Sequence, residues 1–354
     1  MVIIILLVSV CNTASSSTST LVHQGHGFLT ISGGKLEVDP PPNLPASIQA
    51  LVEAMDPSRL SDRSRELMSE FKSDPHAVVL LFKDAPLGHV PKDTLNSSLL
   101  SKWALGTVTK FMGGLVGYEE LESRGLFKNI FTGPRLNDTS YIGNYTAVDS
   151  DRFFGWHVEN LAHPHMPRYV LMQCLRQDDQ RVTETLLLPG EAVVKKLSAA
   201  SIEILKQERF ALDVEDTLNL DNVTNIPEPI AVLSEESSGG AWRLNLDSTF
   251  MRPFRKDDFV AQAAFKELLA AAESSFLSFK LEAGDLIIWD NTRLAHDRQF
   301  TGTNRWLQRT HAYTGSVTPF HMFQNIEVEF VGSGDPHVVR TTGVYQKALS
   351  SQEL

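Results

Sequence analysis

Two short segments carry the side chains best suited to chemistry. The first is Trp156-His157-Val158-Glu159. If it is extended, His157 and Glu159 face the same side, separated by two strand rises of ~3.3 Å each. An imidazole and a carboxylate that close can share one metal ion. The second segment, Gly284-Asp285-Leu286-Ile287-Ile288-Trp289-Asp290-Asn291-Thr292-Arg293-Leu294-Ala295-His296, reads as a strand ending at a turn that delivers His296. Two imidazoles and one carboxylate on one face of a metal leave the opposite positions open to small ligands, which is the facial-triad arrangement. A His-x-Glu tripeptide is common by itself, so the reading rests on the whole set.

Arg305-Trp306-Leu307-Gln308-Arg309 begins nine residues after His296. On a strand, Arg305, Leu307, Arg309 and His311 share a face. Two guanidiniums aimed inward need anionic partners, because an unpaired buried charge is very costly. Salt bridges to core carboxylates would satisfy them, and so would bidentate recognition of a small molecule's carboxylates. His163 and His165 flank Pro164 after the first motif and read as neighbours of the site or surface groups rather than as ligands. His311 can line a pocket or pack in the core. Cys174, on an apolar run, reads as a buried thiol rather than a nucleophile. There is no Gly-x-Ser-x-Gly elbow and no glycine-rich phosphate loop.

These groups must be held by a mixed set of elements. Ala46–Met55 and Ser61–Phe71 place apolar residues at helical spacing, and Leu99–Leu115 also reads as a helix. Ala77–Phe82 is a short apolar run that suits a buried strand. Residues 129–155 lack a helical period and suit loops and short strands. Tyr169–Leu175 and Thr183–Leu188 read as strands, Glu191–Phe210 as one helix, and Ile230–Leu233 with Trp242–Leu246 as a hairpin around Ser237-Ser238-Gly239-Gly240. Asp257–Glu273 is an Ala-rich helix, and Phe276–Leu281, Leu286–Trp289 and Trp306–Tyr313 read as strands. The expected class is α+β, a β core of sandwich or jelly-roll type with helices packed on it.

The chain has 354 residues, of which 42% are hydrophobic and 21% charged, enough to bury a sizeable core. Its formal net charge of −11 argues against non-specific binding to nucleic acid, which needs clustered cations. Two cysteines exclude a disulfide scaffold and a Cys-rich metal site. No low-complexity linker divides the chain. Residues 1–20 form a candidate targeting or disordered segment: residues 2–11 are apolar but too few to span a bilayer, and no cation precedes Lys35. A cytoplasmic location, or an organellar or secretory one if that segment is a signal, are both open. Sequons at Asn96, Asn137, Asn144 and Asn222 do not decide between them. Residues 40–320 are expected to form one domain and 321–354 a C-terminal extension. No other stretch approaches a membrane span.

The order His157-x-Glu159, Gly284-Asp285 leading to His296, then Arg305 and Arg309, resembles the Fe(II)/2-oxoglutarate oxygenases of the taurine-dioxygenase superfamily. It is most similar to the clavaminate-synthase-like branch, which carries Glu where most of the superfamily has Asp. His163 and Pro167-Arg168-Tyr169 match the same branch, and the likeness spans roughly residues 75–315. The resemblance implies a double-stranded β-helix (jelly-roll) core with flanking helices. It implies that His157, Glu159 and His296 bind Fe(II), that Arg305 and Thr185 hold the distal carboxylate of the co-substrate 2-oxoglutarate, and that O2 is the third reactant. Arg309 would lie near the substrate carboxylate. A glutamate at position 159 argues against a halogenase, where related enzymes place a small residue.

The resemblance also implies a small-molecule substrate derived from an amino acid. In arginine-oxidising members two acidic residues, two apart, hold the guanidinium. Their counterparts here are Asn245 and Asp247, so the first charge is missing and an arginine substrate is disfavoured. The branch performs hydroxylation, desaturation and oxidative ring closure, and a kainoid-type cyclisation is one specific expectation. The alternative class is a non-catalytic cupin-like or β-sandwich binding protein. It would leave the His157, Glu159, His296 and Arg305 set as coincidence.

Overall fold

The computed structural model describes residues 20–25, 28–92, 97–117, 126–132, 155–161, 166–212, 229–236, 241–298, 302–315, 327–330 and 339–342. The first 19 residues, the asparagines of the four sequons, His163, His165 and most of the C-terminal extension lie outside them.

One sheet of eight strands dominates. It begins with β1 (Thr20–Gly25), β2 (Phe28–Lys35) and β3 (Ala77–Lys83), where β2 and β3 run parallel. Its other members are β4 (Gly114–Val116), β5 (Lys128–Thr132), β6 (Tyr169–Arg176), β13 (Leu286–Asp290) and β15 (Arg305–Tyr313). Strand β13 lies between β3 and β6, and β15 lies on the other side of β6, all antiparallel. A smaller sheet holds β7 (Thr185–Pro189), β12 (Leu277–Phe279) and β14 (Leu294–Arg298), with β7 central.

Side-chain alternation shows how the two sheets face each other. Ile287 and Trp289 of β13, Met172 and Cys174 of β6 and Leu307 of β15 join Leu187 of β7 and Leu294 of β14 in one buried cluster between the sheets. The alternate residues Leu286, Ile288 and Leu171 pack instead against helices α1 (Ile48–Glu53), α2 (Asp62–Ser73) and α3 (Leu99–Met112). Leu186 and Leu188 of β7 and Ala295 of β14 point outward, into a third cluster with helix α6 (Phe259–Ala272). Burial on both faces explains why β6, β7 and β13 read as nearly continuous apolar runs. The α+β class holds.

Three local expectations need correction. Residues 191–210 form two helices, α4 (Gly190–Val194) and α5 (Ala199–Leu205), and Phe210 belongs to β8 (Phe210–Leu212). The break falls at Ser198, whose hydroxyl caps α5 by accepting from Ser201 N at 3.2 Å, an N-cap preference that competes with helix continuation. The hairpin is shifted: β9 (Leu233–Glu235) pairs with β10 (Trp242–Leu244), and Ile230 bridges Phe210 instead. His296 is not delivered by the turn itself, because it is the third residue of β14.

Candidate metal centre and co-substrate pocket

The first motif is not a strand. His157 makes isolated antiparallel bridges to His296 and Asp247, and Glu159 sits in a turn. The His157 and His296 backbones exchange both hydrogen bonds, at 3.1 and 2.8 Å, so the two imidazoles are tied at the main chain. Their ring centroids are 4.1 Å apart. Ligand atoms of His157, Glu159 and His296 all lie within 4.8 Å of one another. Glu159 and His296 are buried, and His157 is half-buried.

The donor chemistry fits a metal ion. His157 Nδ1 lies 2.9 Å from the Gly155 carbonyl, which can only accept, so Nδ1 carries a proton and Nε2 is the ring nitrogen left to face a metal. Gly155 has φ +82°, and an added Cβ would run into the Ser248 and Thr249 hydroxyls, so the turn that presents this carbonyl needs glycine. Burial holds His296 well below the ordinary imidazole range, with His157 adding to the effect, so His296 is neutral. Its Nδ1 is buried with no hydrogen-bond partner among the described residues. Burial pushes the Glu159 carboxyl up, but Arg309 and His311 outweigh it and hold the group ionised, well below the usual carboxylate range. Arg309 Nη1 donates to Glu159 Oε2, and His311 Nε2 lies 3.5 Å from Oε1.

Arg305 lies four residues before Arg309 on β15, about 13 Å along the strand. Its Nη2 donates to Thr185 Oγ1 of β7 at 2.7 Å, which bridges the two sheets. Arg305 is 4% exposed, and burial pushes its guanidinium down to about 10. A carboxylate in this pocket would relieve that desolvation. Trp289 Nε1, fully buried with its ring 5.2 Å from His296, has no partner among the described residues and offers a further donor.

Asn245 and Asp247 are placed differently from the ligand set. Asn245 Nδ2 donates to the Ala231 carbonyl at 3.0 Å, and Asp247 Oδ1 accepts from Thr249 N and Phe250 N, each at 2.9 Å. Asp247 still borders the site through its bridge to His157. Gly155 and Asn291 were not singled out from the sequence; only the carbonyl and amide geometry reveals them.

One half-buried and one buried imidazole with a buried carboxylate, beside a buried arginine–threonine pair between two facing sheets, have the donor set of a facial-triad iron site. The chain belongs to the family described as taurine catabolism dioxygenase TauD, TfdA family, whose model matches residues 54–311. It is 29% identical over 238 residues to the L-asparagine oxygenase of Streptomyces coelicolor, covering 64% of this chain and 68% of that protein. Clavaminate synthase 2 of Streptomyces clavuligerus is 25% identical over 211 residues, 57% of this chain and 61% of that protein. A crystal structure of asparagine oxygenase in complex with Fe(II), 2S,3S-3-hydroxyasparagine and succinate shares the fold, with TM-score 0.62 at 22% identity over 77% of this chain and 86% of that one. The protein is thus an Fe(II)- and 2-oxoglutarate-dependent dioxygenase of the clavaminate-synthase-like branch. The non-catalytic reading falls with this membership.

Proposed function

We propose that the enzyme oxidises a small molecule derived from an amino acid and carrying at least one carboxylate, by hydroxylation or oxidative ring closure. In this reading the facing sheets are the double-stranded β-helix core. His157, Glu159 and His296 hold Fe(II), and Arg305 with Thr185 holds the distal carboxylate of 2-oxoglutarate. Bound together, Fe(II), 2-oxoglutarate and O2 supply an oxidant strong enough to take hydrogen from an unactivated C–H bond. The chain's own task is to place one carbon beside the metal and exclude water.

The observation that carries the substrate reading is the second buried arginine of β15. Arg309 is 6% exposed and pairs with Glu159 at the metal site rather than with Thr185, while its Nε is buried without a partner among the described residues, so a metal that engages Glu159 would leave this guanidinium to meet a substrate anion. A carboxylate in a dry pocket needs such a cation. Asn245 and Asp247 belong to the reading as the wall beside His157. The names of L-asparagine oxygenase and clavaminate synthase 2 agree with amino-acid-derived chemistry. No described helix is long and apolar enough to cross a membrane.

The test is succinate formation by the Fe(II)-loaded enzyme over a panel of free amino acids, N-substituted amino acids and their amide or ester counterparts, with product masses. Substrate-dependent succinate from carboxylates but not from their esters, with a gain of one oxygen or a loss of two hydrogens, is the expected result. Equal turnover of the esters would overturn the carboxylate reading.

A further inference from the structure

Glu159 is the one member of the ligand set with no backbone pairing to another strand. His157 and His296 exchange main-chain hydrogen bonds, whereas Glu159 lies in a turn, followed by Asn160 at φ +52°. A side chain takes over the missing pairing. Asn291 Oδ1 accepts from Glu159 N at 2.9 Å, and Asn291 Nδ2 donates to Glu159 O at 3.0 Å. One amide thus closes a two-bond ring with the Glu159 peptide groups, imitating the reciprocal bonds of an antiparallel pair. Nδ2 donates again to Pro167 O at 3.0 Å, and Asn291 N donates to Arg168 O at 2.8 Å. Asn291 is 0% exposed, so every one of these bonds is made away from water.

We infer that Asn291 is a positioning residue for the metal-ligating carboxylate: its amide fixes the Glu159 main chain to the β13–β14 turn that leads into His296. Both ends of the ligand set are then set by one rigid segment. Asn291 follows β13 directly, and His296 comes five residues later on β14. With Asn291 in place, a displacement of Glu159 relative to His296 must break two buried hydrogen bonds. Asparagine is required at this point because the site needs one acceptor and a two-hydrogen donor on the same short planar group. Aspartate lacks the donor, and glutamine would overfill a fully buried position.

The inference rests on the metal assignment, and the experiment separates the two. Fe(II) is titrated anaerobically into the full-length protein and its binding followed by quenching of tryptophan fluorescence, to which Trp289 beside His296 should respond. Native protein, Asn291→Ala, Glu159→Ala and the double variant are compared, with folding checked by circular dichroism and melting. Removing a group that orients a ligand should weaken Fe(II) binding by about 10–100-fold in the native background. In the Glu159→Ala background the same change should cost less than about twofold, because the ligand it positions is already gone. Asn291→Asp is the second variant should the alanine fail to fold. It keeps the acceptor for Glu159 N and sets an oxygen against two carbonyls, and it too should weaken Fe(II) binding. Unchanged affinity in a folded variant, or an equal loss in both backgrounds, would overturn the inference while leaving the metal site intact. Failure of the native protein to take up Fe(II) would overturn both.

Discussion

At Glu159 two opposed effects meet, and their balance sets what each neighbouring residue does. Burial disfavours the ionised carboxylate, while Arg309 and His311 favour it, and the second effect wins. Breaking such a buried pair by removing one partner costs about 3–5 kcal/mol, because the remaining charge is stranded. Arg309→Met should therefore lower the melting temperature of metal-free protein sharply and that of Fe(II)-loaded protein much less, since the metal takes over part of the compensation. Equal losses in the two states, measured by anaerobic melting, would contradict the pairing. The same variant should depress substrate-coupled oxidation yet leave some uncoupled 2-oxoglutarate decarboxylation, because the Arg305 pocket is intact. At Arg305, alanine should raise the apparent KM for 2-oxoglutarate far more than lysine does, by a loss of about 2–5 kcal/mol. Unchanged co-substrate dependence in steady-state kinetics would move that role elsewhere. The convergence of His157, Glu159 and His296 is legible in the sequence because side-chain types and spacing carry it, whereas Thr185 enters only through the family resemblance. Gly155 and Asn291 are not legible, because they act through a backbone conformation and an amide pairing that no spacing encodes.

Among the elements, the strands were the more legible, since β3, β6 and β13 are largely apolar runs, as buried strands should be. The segment around His157 misled because a period-2 reading assumes a strand. Its conformation is set instead by tertiary bridges to β14 and Asp247. Helices α4 and α5 misled because the apolar period runs through Ser198, while the capping bond decides the boundary. The turn before His157 supplies the element-level prediction. Gly155→Ala forces an L-residue into φ +82° and drives a methyl group against Ser248 and Thr249. The conformational strain alone is about 1–2 kcal/mol. Because the Gly155 carbonyl fixes the His157 tautomer, Fe(II) affinity should fall by about tenfold or more as well. A variant that melts lower yet binds Fe(II) as native protein does would show that the carbonyl is not the orienting group.

For the molecule as a whole, the buried titratable groups set a window of stability. His296 and His311 are held below the usual imidazole range by burial, so the unfolded chain binds protons that the folded one excludes. Stability is therefore full above the unfolded value of 6.5 and is lost as pH falls below it. Glu159, depressed from 4.5, acts in the same direction at lower pH, and its contribution is lost as the carboxylate protonates. On the alkaline side, burial pushes both Cys174 and Tyr169 up to about 12, against 9.0 and 10.0 when unfolded. Folding then opposes their ionisation, and stability declines as pH rises above about 9. Asp297, pushed up to about 6 by burial, offsets part of the acid loss below about pH 6, and Arg305, pushed down to about 10, offsets part of the alkaline loss above about pH 10. Melting of metal-free protein should therefore show a plateau between about pH 7 and 9, with losses on both sides that are clearest next to the plateau. A maximum near pH 5 would contradict the buried neutral imidazoles. The α+β class was legible from element order, and motif placement pointed to the family whose model matches residues 54–311. The way β13 and β14 split between two sheets was not legible, because long-range pairing leaves no local signal. The central claim is that this chain assembles one Fe(II) and one 2-oxoglutarate at His157, Glu159, His296 and Arg305, and its most direct test is anaerobic addition of Fe(II) and 2-oxoglutarate to the purified protein, followed in the visible region. A weak charge-transfer band that saturates at one equivalent of each and is absent in His296→Ala is expected; no band in the native protein, or the same band in His296→Ala, would contradict the account.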